Sequence, residues 1–181
     1  MPFTDLIRAT VLLAAAEATA LAAIAVLAAQ RDDDSLTLLV AGGWWIVAAA
    51  AGLAMGRFDR ASEGVRPALS EARMATQLPV EGPARIAFGR LWPILATALL
   101  AGGLGVFLPG VAAVGAGFAL LVALAWRGRE AAVLAIEQRD GARFYVVPTP
   151  ALRPIKLMRS PGLGRDRDTT TKYPPPPTAP A

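Results

Sequence analysis

The chain has no cysteine and no histidine in its 181 residues. Without thiols there is no disulfide framework, no thiolate nucleophile and no sulfur-ligated metal centre. Without imidazole there is no histidine base, no haem axial histidine and no ordinary zinc or copper site. A metal would have to be held by carboxylates alone, and these are few and scattered. No nucleophile stands beside a base, so the pattern assigns no catalytic residue, no cofactor and no metal ligand, and a non-enzymatic protein is expected. Lysine is almost missing too, with two against sixteen arginines in an alanine-rich background. That bias matches a GC-rich bacterial genome.

The apolar residues, 55% of the chain, fall in blocks. Runs near residues 6–29, 36–55, 91–108 and 111–126 each approach the ~20 residues a helix needs to cross ~30 Å of hydrocarbon. The fold class is therefore all-α integral membrane: four transmembrane helices, residues 1–127, arranged as two antiparallel hairpins. The residues 57–90 between the hairpins carry Arg57, Arg60, Arg66, Arg73, Arg85 and Arg90. Ten further Lys and Arg follow Trp126, whereas the first connection holds Arg31 against Asp32, Asp33 and Asp34, and the last is only Leu108-Pro109-Gly110. The positive-inside rule then puts the arginine loop, the tail and both termini in the cytoplasm of a bacterial inner membrane. Cleavage after Ala28 as a signal peptide is the rival reading of the first run, which is longer than the ~7–15-residue apolar core of such peptides. The three aspartates do not make a calcium site, which needs six to eight oxygens in a shaped loop; they read as a solvated tip.

One residue resists a bland account. Glu17 lies in Ala14-Ala15-Ala16-Glu17-Ala18, near the middle of the first run, where an ionisable group is costly. Desolvation disfavours its charged form, so a neutral carboxylic acid that donates a hydrogen bond is expected. At 1.5 Å per residue, Glu17 is roughly 20 Å from Gln30, Trp44 and Trp45 about 13–15 Å from Ser35, and Thr97 about 16 Å from Leu108. Trp44, Trp45 and Thr97 thus share its depth, and an indole N–H or the threonine hydroxyl is its expected partner. The four form the candidate intramembrane polar or proton site, against the simpler alternative of a buried register-setting hydrogen bond. Gly52-Leu53-Ala54-Met55-Gly56 and the glycines after 102 suit close helix packing inside one bundle rather than a dimer face. Pro93 is expected near a helix start, and Trp92 and Trp126 at the cytoplasmic interface.

Outside the bundle, residues 66–77 are expected to form a short helix with Val65, Leu69 and Ala72 on one face. Residues 128–160 are expected to form a basic cytoplasmic module. In it, residues 133–138 pair with 143–147 as a β-hairpin around Asp140-Gly141, and 155–158 adds a short strand. The competing reading continues the fourth helix through 131–138 and caps it at Gly141. Residues 161–181, with Pro174 to Pro177, read as a disordered tail. Arg57, Arg60, Arg153, Lys156 and Arg159 are the candidate contacts to anionic lipid headgroups, worth about 1 kcal/mol each near a charged leaflet. No nucleic-acid-binding fold accompanies them, and Gly162-Leu163-Gly164 lacks the rest of a phosphate-binding fingerprint. The expected function is a small non-enzymatic scaffold or accessory subunit touching the bilayer, a protein partner or a second copy of itself. The alternative is a proton- or cation-coupled transporter working through Glu17.

Overall fold

The computed structural model describes residues 1–74, 82–151 and 153–161. Five helices run through these residues: α1 (Phe3–Arg31), α2 (Ser35–Met55), α3 (Phe58–Ser70), α4 (Pro83–Gly105) and α5 (Pro109–Asp140). All but α3 are long and apolar enough to cross a membrane. α1 contains neither glycine nor proline, and two of its three threonines donate their hydroxyls back to their own helix, Thr10 to Leu6 O at 2.8 Å and Thr19 to Ala15 O at 2.9 Å. The turn into α2 is tight. Asp33 adopts φ 50°, which a short polar side chain tolerates. Asp34 caps α2 by accepting the Thr37 N–H at 3.0 Å.

α5 is the helix against which α1, α2, α3 and α4 all pack, with α1 its principal partner. The short first connection predicts α1 and α2 as packed neighbours, yet α2 touches α1 only sparsely and lies along α5. Small residues decide this, because in lipid the favoured contact is the one where backbones approach closely. Gly52 and Gly56 face Leu121, Leu124 and Gly128. A Cβ on Gly128 would lie 1.8 Å from the Gly56 carbonyl oxygen, so the two chains cross where no side chain fits. The Gly-xxx-Gly pair of α2 therefore serves internal packing. A second contact layer is built almost wholly of alanines, with Ala25, Ala41, Ala112, Ala113 and Ala116 around Leu21.

Three expectations change outside the apolar runs. First, residues 131–138 are helical. α5 continues to Asp140, and Gly141 at φ 58° returns its N–H to Glu137 O as a left-handed C-cap. Glu130, Ala131, Leu134 and Ala135 favour helix, and the positive φ that an Asp-Gly turn would supply is used to end it. The hairpin instead joins β2 (Ala142–Val146) to β3 (Leu157–Pro161), antiparallel, with Phe144 opposite Arg159. Two residues of the arginine loop, β1 (Arg73–Met74), add in parallel to the far side of β3. Second, the loop helix starts eight residues before the expected Arg66, at Phe58, and Pro67 lies inside it. Its Ala61, Val65 and Leu69 are buried against protein rather than laid on headgroups. Third, α4 begins at Pro83, so Pro93 is an interior residue. The expected end of the loop helix at Gln77 and the tail from 162 lie outside the described residues.

At the end of the bundle shared by α3 and the sheet, the start of the chain completes the structure. Phe3, Leu6 and Ile7 of α1 join Val65, Leu69, Ile86, Val133, Phe144, Val146 and Leu157 in one buried cluster, with Ile7 and Val146 fully inaccessible. Met1 and Pro2 also join backbone to backbone: Val146 N–H donates to Met1 O at 3.0 Å, and Pro2 bridges Tyr145. Arg8 pairs with Glu130 at 2.6 Å across the same junction.

Candidate functional site

Among the described residues, the Glu17 carboxyl has one side-chain partner. Glu17 Oε1 is 3.4 Å from Thr97 Oγ1, and the same hydroxyl oxygen is 2.8 Å from Ile94 O. A threonine carries a single hydroxyl hydrogen, and the shorter contact claims it. The hydroxyl therefore donates mainly to its own helix, and its longer approach to Glu17 is the weaker of the two. Helical spacing brings the pair together: Ala14 and Glu17 on α1 face Ile94, Thr97 and Ala101 on α4. With Gly115, Phe118, Ala119 and Val122 of α5 they line a groove of about 370 Å³.

The two tryptophans are at the right depth but point elsewhere. Trp44 Nε1 donates to Val114 O at 3.2 Å and Trp45 Nε1 to Ala113 O at 2.8 Å. Gly117 makes room for this, since a Cβ there would lie 1.9 Å from the Trp44 nitrogen. An indole N–H in an apolar slab needs an acceptor, and a bare stretch of α5 backbone supplies it. Trp44 reaches the groove only at second hand, packing edge-on against Phe118 with ring centroids 5.3 Å apart. Of the four residues named for this site, the structure brings Glu17 and Thr97 together and leaves Trp44 and Trp45 as interhelical fasteners.

The basic residues divide in the same way. Arg57, Arg60, Arg153 and Lys156 are exposed, whereas Arg159 is half-buried and turned to Asp140, 3.5 Å from its carbonyl and 4.0 Å from its carboxylate. Sequence reasoning passed over Arg90. Its guanidinium donates to the carbonyls of Arg153 at 2.7 Å, Pro154 at 3.2 Å and Ala151 at 3.3 Å, and to the Thr149 hydroxyl. Its Nε is buried without an acceptor. One arginine thus ties down the proline-rich connection between β2 and β3. The available signal was a lone arginine before an apolar run together with a distant segment whose prolines leave carbonyls without a ladder. Arg129 lies over the Trp126 ring, 4.4 Å from its centroid.

Beyond the apolar stretch, Glu137 accepts the Phe144 N–H at 3.0 Å, joining the end of α5 to β2. Burial pushes its carboxyl above the usual glutamate range, partly offset by that hydrogen bond and by Arg143. Among the described residues no group of three or more acidic side chains could hold a metal ion. No protein-family model, curated protein or solved structure matches the chain.

Proposed function

We propose that this is a multi-pass protein of a bacterial inner membrane that works without catalysis, as a four-helix anchor displaying a folded, basic cytoplasmic module. The observation that carries the reading is the cluster around Phe144. It draws side chains from α1, α3, α4, α5, β2 and β3 to one end of the bundle, and it leaves Arg57, Arg60, Arg153 and Lys156 exposed. Such a module is a docking platform for anionic lipid or a partner rather than a reaction chamber. The alternative, a proton-coupled transporter, is supported by one specific feature: Glu17 and Thr97 line a groove instead of being sealed in the bundle.

Because the chain has no cysteine, single introduced thiols report topology cleanly. Ser62→Cys and Thr149→Cys should be labelled from the cytoplasmic side and Asp33→Cys from the opposite side. Labelling of all three from one side would overturn the proposed insertion. Proton flux in reconstituted vesicles separates the two functions. The scaffold reading expects no flux that depends on Glu17, and a flux abolished by Glu17→Gln would replace it with the transporter.

A further inference from the structure

A second cavity, of about 310 Å³, lies between α1, α4 and the connection that Arg90 holds. Arg90, Leu91, Trp126, Arg153 and Ile155 are among the residues that line it. Ile94 lines both this cavity and the groove containing Glu17, so the two follow one another along the same faces of α1 and α4. From Arg90 to Ala101 the path is roughly 16 Å at 1.5 Å per residue. That is one leaflet, half of ~30 Å of hydrocarbon.

Charge names the occupant. Neither Arg90 nor Arg153 has a carboxylate partner among the described residues, and every acceptor of the Arg90 guanidinium is neutral. Two uncompensated cations therefore stand beside an interfacial tryptophan, above an apolar crevice one acyl chain deep. We infer that one anionic phospholipid of the cytoplasmic leaflet docks between α1 and α4, its phosphate held by Arg153 in the field of Arg90 and one chain running down past Ile94 to Thr97 and Ala101. This rests on the membrane insertion proposed above and makes the lipid contact a discrete, saturable site instead of a diffuse attraction. Arg153 is the free hand of the site, since Arg90 is already engaged with the loop.

Native mass spectrometry of the full chain, released from vesicles of equal phosphatidylglycerol and phosphatidylcholine, tests it. One phosphatidylglycerol per chain should be retained in preference to phosphatidylcholine. Arg153→Gln should lower that preference about fivefold, the factor matching ~1 kcal/mol per charge near an anionic surface. Thr97→Phe, which fills the groove and leaves every charge in place, should lower retention at least as much. Its melting temperature, read beside wild type, shows whether the bundle is intact. Should Arg153→Gln act while a folded Thr97→Phe binds normally, the lipid sits on the surface and the crevice site is wrong, with membrane insertion untouched. Equal retention of both lipids would overturn the site in the same way. Absence of the chain from the membrane fraction would instead remove the insertion reading beneath it.

Discussion

The amide of Val146 donates to the carbonyl of Met1 at 3.0 Å, so the first residue of the chain is hydrogen-bonded to a strand that follows the last apolar run. Phe3, Leu6 and Ile7 stand directly behind that bond, packed with Phe144 and Leu157. The N-terminal turns of α1 are thus part of the sheet's core as well as the start of a helix long and apolar enough to cross a membrane.

Removing a large side chain from this cluster should unfold the module and spare the bundle. Phe144, 2% exposed, should cost about 3–5 kcal/mol as Phe144→Ala. The expected sign is faster amide exchange in β2, β3 and residues 3–7, with the middle of α1 and α5 unchanged. Ile7→Ala should reproduce the same footprint from the other end of the chain.

The α2–α5 crossing should be intolerant of a single methyl. Gly128→Ala places a carbon on the Gly56 carbonyl, and backbone cannot swing aside as a flexible side chain would. A loss of about 1–3 kcal/mol is expected, read as a lower melting temperature in detergent. Gly43→Ala, where a Cβ meets nothing within 4 Å, should melt like wild type.

Glu137 should give the module a pH dependence of defined sign. Burial raises its folded carboxyl above the ordinary glutamate range, so the folded state holds the proton more readily than the unfolded chain. The contribution of Glu137 to module stability should therefore be greatest in acid and fall as pH rises from the ordinary glutamate value through the raised one. Above that window it should be level. Glu137→Gln keeps an oxygen acceptor for the Phe144 N–H and should abolish the slope, as followed by exchange at β2 between acid and neutral pH.

Arg90→Gln should release the connection from 147 to 156 without disturbing the helices. Four acceptors lose a charged donor, and hydrogen bonds to a charged group contribute about 1.5–3 kcal/mol each before solvent replaces them. Protease cleavage between Val147 and Lys156 should appear in the variant and be absent from wild type.

The four long apolar helices were legible because apolar blocks of that length have few other uses. Counting residues gave Trp44, Trp45 and Thr97 the same expected depth as Glu17, and of these Thr97 is the one 3.4 Å from it. Counting gives depth but not azimuth, and so it could not show that Trp44 and Trp45 face α5 instead. Asp140-Gly141 misled because a left-handed glycine ends a helix and turns a hairpin equally well, leaving the choice to the helix formers before it. The lodging of residues 1–7 against β2 has no local signal, and the grip of Arg90 on a loop 59 to 64 residues away leaves only a lone arginine and a distant proline-rich stretch to show it. Only the folded chain brings those partners together.

The bond between Met1 and Val146 also joins segments that are made far apart in time. Residues 1–7 are made before residues 142–161, with the apolar runs between the two. Phe3, Leu6 and Ile7 therefore gain their full cover only once the sheet has been made. In a chain inserted as proposed, the two ends meet only if the number of crossings between them is even. A chain that skipped one helix would leave its ends on opposite sides of the bilayer, each with a bare apolar face. In a chain inserted as proposed, closure of the sheet on Met1 is therefore out of reach for a molecule that has missed one crossing.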